Sequence, residues 1–237
     1  MGKERIIIKI SGATLENRKD NTIIDGDTLT KLAQQVKTLA ENYEVALVIG
    51  GGNIWRGKEN NLAPLLNQDS HIIGMLSTLI NSIVFQNYLT HIGAKSVIFS
   101  SISCPRVAED ICTERVESAF SSGKIVIFAS GSGLPFVTTD TCIAIRALEV
   151  KADRILIGKN GVKGIYDKDP NQFSDAKFFT EISYEEIIER RLKVMDLASM
   201  TLLLDNGRPK LVVFDQDAEN AYIKALTGDD LEHTVVY

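Results

Sequence analysis

Three glycine-bearing turns carry most of the chemistry in this sequence. Lys9-Ile10-Ser11-Gly12 follows the apolar run Ile6-Ile7-Ile8, and Gly50-Gly51-Gly52-Asn53-Ile54-Trp55-Arg56-Gly57 follows Val45-Ala46-Leu47-Val48-Ile49. The third, Ser130-Gly131-Ser132-Gly133-Leu134-Pro135-Phe136-Val137-Thr138-Thr139-Asp140, follows Ile125-Val126-Ile127-Phe128. Glycine admits positive φ and lets backbone N–H groups approach an anion closely. A helix start just beyond such a turn adds free donors and partial positive charge. One glycine after a strand is ordinarily only a tight turn. Three on one edge, with Lys9 and Arg56 beside two of them, describe a site for a polyphosphate or for two phosphates meeting. The net charge is −5, so an anion must be held by a local cluster of donors. A general nucleic-acid surface, which would be basic, is disfavoured.

The common phosphate motifs do not account for these turns. Gly52 to Lys58 has Walker A spacing, but Glu59 stands where a Ser or Thr must hold Mg²⁺. No Gly-x-Gly-x-x-Gly fingerprint is present, and the protein-kinase set is missing. The Gly131-Ser132-Gly133 spacing is not that of a hydrolase nucleophile elbow. Three scattered histidines (His71, His91, His233) have no metal-ligand spacing. Three cysteines (Cys104, Cys112, Cys142) form no Cys-x-x-Cys pair and are expected to be buried and structural.

The elements that must position these turns are legible as short β-branched runs, which continue in Val97-Ile98-Phe99, Ile155-Leu156-Ile157 and Leu211-Val212-Val213-Phe214. Continuous apolar character suits strands buried on both faces of a parallel sheet. Between them lie helical stripes, Leu29, Leu32, Val36, Leu39 and then Ile72, Met75, Leu76, Leu79, Ile83, Val84. Ser183 and Glu186 read as a capping box, and Gly158 to Ala176 as a long surface loop. Strands alternating with helices imply an α/β sandwich, helices covering both faces of a mostly parallel central sheet. Its 237 residues, 44% hydrophobic and 24% charged, fit a single folded domain over 1–237. With no apolar run near the ~20 residues of a membrane span and no cleavage pattern after Met1, a cytoplasmic protein without membrane contact is expected.

Taken together the turns resemble those of the bacterial uridylate (UMP) kinases of the amino-acid kinase superfamily. The resemblance extends to Gly74-Met75-Leu76-x-Thr78-x-x-Asn81, Gly164-Ile165-Tyr166-x-x-Asp169-Pro170 and Lys193-Val194-Met195-Asp196, and covers essentially the whole chain. It implies a three-layer amino-acid kinase fold and transfer of the γ-phosphoryl group of ATP to UMP, with Mg²⁺ accompanying ATP and no metal held by the protein alone. By this resemblance Lys9, Arg56, Asp140 and Asp196 are catalytic. Lys9, Ile10, Ser11, Gly12, Gly52 and Arg56 bind ATP phosphates, and Asn160, Tyr166 and Asp169 contact adenosine. Gly51, His71 and the loop Ser132, Gly133, Leu134, Pro135, Phe136, Val137, Thr138, Thr139 bind UMP. Asp140 and Asp196 would orient Lys9 and the phosphates, since a UMP phosphate needs no general base. Each could also cap the helix that follows it. The resemblance further implies a homohexamer built from dimers, with the apolar helix from His71 to Thr90 at the dimer contact, where plain core packing is the alternative. Trp55 and Met75-Leu76 read as core or subunit contact rather than ligand site.

The sequence departs from that pattern at Ala13 and Lys163, which replace acids, at Leu134, which replaces Asn, and at His71, which stands where an Asp binds the UMP ribose. Asp69, two residues earlier, is the substitute to test. Two other readings compete. A sibling kinase making an acyl phosphate would need donors for a carboxylate substrate. A non-catalytic nucleotide sensor or anion store should have lost Lys9 or the acidic pair.

Overall fold

Ile6, Ile7 and Ile8 are all fully buried, yet they serve two different cores. Ile7 packs with Val48, Phe128, Ile155 and Val213 on one side of the sheet. Ile6 and Ile8 pack with Leu47, Ile127, Leu156 and Phe214 on the other. Strand side chains alternate faces, so unbroken apolar runs need a cover of helices on both sides. The computed structural model, which describes residues 2–17, 20–56 and 64–237, has that arrangement.

The first half runs β1 (Arg5–Ile10), a 3-10 turn (Gly12–Leu15), α1 (Gly26–Asn42), β2 (Glu44–Ile49), α2 (Asn67–His91), β3 (Ser96–Ser100), β4 (Glu109–Asp110), α3 (Thr113–Ser121) and β5 (Ile125–Ala129). It continues through α4 (Thr139–Glu149), β6 (Arg154–Lys159), β7 (Ile165–Tyr166), β8 (Phe178–Phe179) and β9 (Glu181–Ile182). The last elements are α5 (Tyr184–Glu189), α6 (Leu197–Asp205), β10 (Lys210–Asp215), α7 (Ala221–Thr227) and β11 (His233–Val236). Among the described residues nine strands order as β4-β3-β5-β2-β1-β6-β10-β11-β9, every pairing in that sheet parallel except β10–β11. Helices α3 to α6 contribute to the Ile7 core, and α1, α2 and α7 to the Ile6–Ile8 core. The result is a three-layer α/β sandwich, as the apolar runs and helical stripes predict.

Several local expectations need correction. The second helical stripe is not one buried face: Met75 and Leu79 are buried, whereas Ile72 and Leu76 are 41 and 38% exposed, as is Ile80, outside the stripe, at 48%. Helix α2 is apolar on nearly every side, and by length and composition alone it could cross a membrane, contrary to the reading of its sequence. Its buried Thr78, Asn81 and Ser82 instead turn inward, Asn81 to the Gly50 carbonyl at 2.8 Å and Thr78 to the Ser130 N–H at 2.8 Å. The loop from Gly158 is shorter than predicted, because Gly158 and Lys159 complete β6 and Tyr166 pairs with Phe178 in a β7–β8 hairpin. Ser183 does cap α5, accepting from Glu186 N–H at 3.1 Å. Of the cysteines, Cys142 is buried while Cys104 and Cys112 are only half-buried.

Candidate active site

The carboxyl ends of the central parallel strands bring the glycine turns together. The β1 turn fits against the β2 turn so closely that a Cβ on Gly12 would lie 2.5 Å from the Gly52 nitrogen and 2.9 Å from the Gly50 oxygen. Gly51 is equally constrained by α2, where a Cβ would meet the Gly74 oxygen at 2.9 Å and Ser77 Cβ at 2.8 Å. These glycines therefore have a packing role as well as any role toward phosphate. Asn53 and Asn81 brace the seam through reciprocal amide hydrogen bonds of 2.7 and 3.2 Å.

Lys9, one position from the end of β1, forms an ion pair with Asp140 in the first turn of α4. Asp140 is not the helix cap. Thr138 takes that role, its hydroxyl accepting from Thr141 N–H at 3.1 Å, because α4 starts at Thr139 and leaves the Asp140 side chain to reach back over the sheet. Asp196 does cap its helix, accepting from Ser199 N–H at 2.8 Å and from the Ser199 hydroxyl at 2.5 Å. The hydroxyls of Thr138 and Thr141 also donate to it. Burial pushes the Asp196 carboxyl up, but the hydrogen bonds from Ser199, Thr138 and Thr141 outweigh it and hold the group below the usual carboxylate range. The two acids sit at the starts of neighbouring helices, joined through Thr138 and Thr141.

Lys159, at the end of β6, escaped the sequence reading. Strand pairing places Lys9 opposite Ile157, and alternation turns Lys159 to the same face as Lys9. Burial first, and then the charge of Lys9, push its ammonium below the usual lysine range, while Asp140 acts the other way. It donates to the Val194 carbonyl at 2.6 Å, tying the Lys193-Val194-Met195-Asp196 segment to the sheet. Its signal in the sequence was a lysine two residues after Ile157, masked by the loop-like Gly158-Lys159-Asn160.

Two cavities flank this cluster. One, of about 480 Å³, is lined by Lys159, Tyr166, Asp169, Arg191 and Val194. The other, of about 520 Å³, is lined by Gly51, Gly52, Arg56, His71, Gly131, Phe136, Val137, Thr138 and Thr139, with Trp55, Ser70 and Met75 among its other walls. Trp55, expected in core or at a subunit contact, thus faces the second cavity and donates from Nε1 to Ser70 Oγ at 3.0 Å.

Of the residues expected to bind UMP, six share the second cavity. Ser132, Gly133, Leu134 and Pro135 are not among its lining residues; Leu134 is 64% exposed, and Ser132 Oγ accepts from Leu134 N–H at 3.2 Å. Asp69 does not line it either; His71 does, its ring edge-on to Phe136 with centroids 4.8 Å apart. Of those expected at ATP, Tyr166 and Asp169 line the first cavity, but Gly52 and Arg56 line the second. Arg56 donates to the Gly52 carbonyl at 2.6 Å and pairs with Glu16 at 3.3 Å. Asn160 faces a third groove beside α1 and α7, because strand alternation sends it opposite to Lys159. Ser11 precedes the 3-10 turn, Ile10 is fully buried, and Gly12 is packed as described. Lys163 pairs with Glu232 on the surface. The Walker-like residues Gly57, Lys58 and Glu59 lie outside the described residues.

The sequence and the fold match known proteins. Residues 4–215 fit the model of the amino acid kinase family. A uridylate kinase of Ureaplasma parvum is 38% identical over 239 aligned residues, covering 100% of this chain and 99% of that protein. The chain belongs to the amino acid kinase family and, within it, to the uridylate kinases. Two solved uridylate kinase structures overlay closely. The crystal structure of UMP kinase from Ureaplasma parvum has a TM-score of 0.95 at 36% identity, covering 100% of this chain and 99% of that one. The UMP kinase from Bacillus anthracis has a TM-score of 0.92 at 31% identity, covering 100% and 96%. In this uridylate kinase chain the paired glycine turns and the Lys9–Asp140 pair occupy the carboxyl edge of the sheet.

Proposed function

We propose that this chain transfers the γ-phosphoryl group of ATP to UMP, giving UDP and ADP, as a cytoplasmic enzyme of pyrimidine nucleotide synthesis. One observation carries the reading: the Lys9–Asp140–Lys159 cluster reaches one cavity through Lys159 and adjoins a second through Thr139. Lys159 lines the first and Thr139, the neighbour of Asp140, lines the second. A donor bound in the first and an acceptor in the second would meet over two ammonium groups. Phosphoryl transfer leaves little covalent work for a protein; positioning and charge neutralisation lower the barrier. Lys9, oriented by Asp140, would pair with the transferring group, and Lys159 would balance charge on the donor side. Arg56 and the Thr139 hydroxyl would hold the acceptor phosphate. That phosphate is already an anion, so no side chain need take a proton from it. Tyr166 and Asp169 would take the adenosine, and Phe136 and Val137 the acceptor's apolar faces.

Among the described residues no three His, Cys, Asp or Glu side chains cluster to hold a metal. Mg²⁺ commonly binds through one or two carboxylates plus substrate phosphates, and Asp140 and Asp196 are hard oxygen donors suited to that shared mode. The ion would neutralise phosphate charge. We read all 237 residues as one unit, assembling as a homohexamer built from dimers, with the exposed row Ile72, Leu76 and Ile80 on α2 at the dimer contact.

ADP release from ATP and Mg²⁺ tests the function, with UMP, CMP, dUMP, acetylglutamate or no acceptor. Turnover confined largely to UMP is expected. Turnover with acetylglutamate alone would place the chain among acyl-phosphate kinases, and none with any acceptor would make it a nucleotide-binding protein without this activity.

A further inference from the structure

The loop that follows β5 begins in an unfavourable backbone conformation. Ser130 has φ +60°, Gly131 +54° and Gly133 +80°, and a left-handed serine is costly. Such a turn persists only where its surroundings over-determine it, and those surroundings can be named. The Ser130 N–H donates to Thr78 Oγ1, and the Ser130 and Ser100 hydroxyls are 2.8 Å apart. The Gly131 carbonyl accepts from the Ser101 hydroxyl at 2.7 Å and lies 3.5 Å from Arg146 Nη2. Arg146 Nη2 also donates to Ser101 Oγ at 2.9 Å, and its Nη1 pairs with Glu149 at 2.5 Å. A Cβ on Gly133 would touch Ser101 Cβ at 3.1 Å, so Ser101 steadies the loop at two points.

Arg146 is an unusual residue to find here. It is 6% exposed, its Nε has no hydrogen-bond partner among the described residues, and its guanidinium lies over the Phe128 ring at 5.5 Å. Burying a guanidinium is expensive unless its arms are matched, and no residue of the cluster described above touches it. It projects from α4, the helix that carries Asp140 in its first turn and is capped by Thr138. The loop from Gly131 to Thr138 is therefore held to one helix at both ends, covalently at Thr138 and through Arg146 at Gly131. Because a trans peptide directs C=O and N–H in opposite senses, a Gly131 carbonyl fixed toward Ser101 and Arg146 turns the Ser132 N–H away from them.

We propose that Arg146, acting with Ser101, is a positioning residue for the acceptor nucleotide. It fixes the Gly131–Ser132 peptide, and with it the wall that Gly131 contributes to the cavity it shares with Phe136 and Thr139. This inference rests on the UMP kinase reading. It requires that acceptor affinity depend on the pair while donor affinity does not.

The test is steady-state kinetics of the full chain, varying UMP and ATP separately, on wild type, Ser101→Ala, Arg146→Lys and Arg146→Met, each with a urea unfolding midpoint. Ser101→Ala removes one hydroxyl and keeps the Cβ that supports Gly133, so it tests the idea even if Arg146→Met does not fold. The expected result is a KM for UMP raised about 5-fold in Ser101→Ala and more than 10-fold in Arg146→Met. Arg146→Lys should recover part of the loss, and the KM for ATP should stay within 2-fold throughout. Both KM values rising together, or neither moving in Ser101→Ala and Arg146→Lys, would overturn the inference while leaving the activity in place. Wild type that does not turn over UMP would overturn the reading of function, and this inference with it.

Discussion

The two edges of the sheet use cations in opposite ways. At the amino edge Arg5 is enclosed by carboxylates: Glu44 at 2.7 Å, Glu117 at 2.7 Å, and the Val150 carbonyl at 2.5 Å, with its guanidinium 4.1 Å over the Phe120 ring. Burial lowers the Arg5 pKa, but the hydrogen bonds and charges of Glu117 and Glu44 more than reverse that, so its charge is favoured. At the carboxyl edge Lys9 and Lys159 lie near each other with Asp140 as their acid, and Lys159 is left with a carbonyl rather than a carboxylate. A cation fully paired by its own fold is structural. A pair kept short of counter-charge suits the proposed role toward an anion that the fold does not supply.

Substitution should separate these roles. Lys9→Met is expected to reduce kcat on the order of 10³-fold, the loss that follows removal of a preorganised charge from a transition state. Its thermal midpoint should stay near wild type. Arg5→Met should do the reverse: urea unfolding should show a loss of about 3 kcal/mol, because two part-buried carboxylates lose their partner. Its kcat in native buffer should remain within about 2-fold, since Arg5 touches no part of the site. If Arg5→Met impaired kcat as Lys9→Met does, the contrast between the edges would fail.

Lys159→Met sharpens the comparison further. We expect kcat to fall about 10- to 100-fold with a urea midpoint unchanged or raised, because the fold disfavours this residue's charge. A marked loss of stability would show that Lys159 is structural, like Arg5. The smallest expected effect belongs to Asp196. Its carboxyl is held below the unfolded value, so its stabilising contribution is complete above the unfolded carboxylate pKa and fades as pH falls through the lowered folded one. Asp196→Ala should cost about 1 kcal/mol at pH 7 through the lost cap. The gap between wild type and variant should then narrow as unfolding is measured at successively lower pH below about 4.

Much of this contrast was legible in the residues, for identifiable reasons. Lys9 stood out as a charge between Ile6-Ile7-Ile8 and a glycine turn, whereas Asp140, at the end of a glycine loop, was singled out by the family resemblance. Lys159 was not, because whether Gly158-Lys159-Asn160 continues a strand depends on β10, whose Asp215 pairs with Lys159 some fifty residues later in the chain. The same pairing decides that Asn160 faces away from Tyr166. Helix α4 starts two residues earlier than a cap at Asp140 would require, and that shift moves the cap from Asp140 to Thr138. In α2 the apolar residues surround the helix, so periodicity could not say which of them face water. The β7–β8 and β4 pairings, two residues each, are too short to leave any pattern of their own.

The position of β1 at the middle of the sheet has a consequence for how the protein is made. Its neighbours are β2 on one side and β6 on the other, so Lys9 acquires its partner strand at Ile157 only when a segment of about 150 residues has closed on itself. Contacts of such sequence separation form late and slowly. On a ribosome the β1 and β2 turns can interlock early, but Lys9 and Lys159 cannot meet until β6 has emerged. The charge cluster is thus completed by one of the longest-range closures in the sheet, and a partly folded chain would hold the glycine turns without the means to use them.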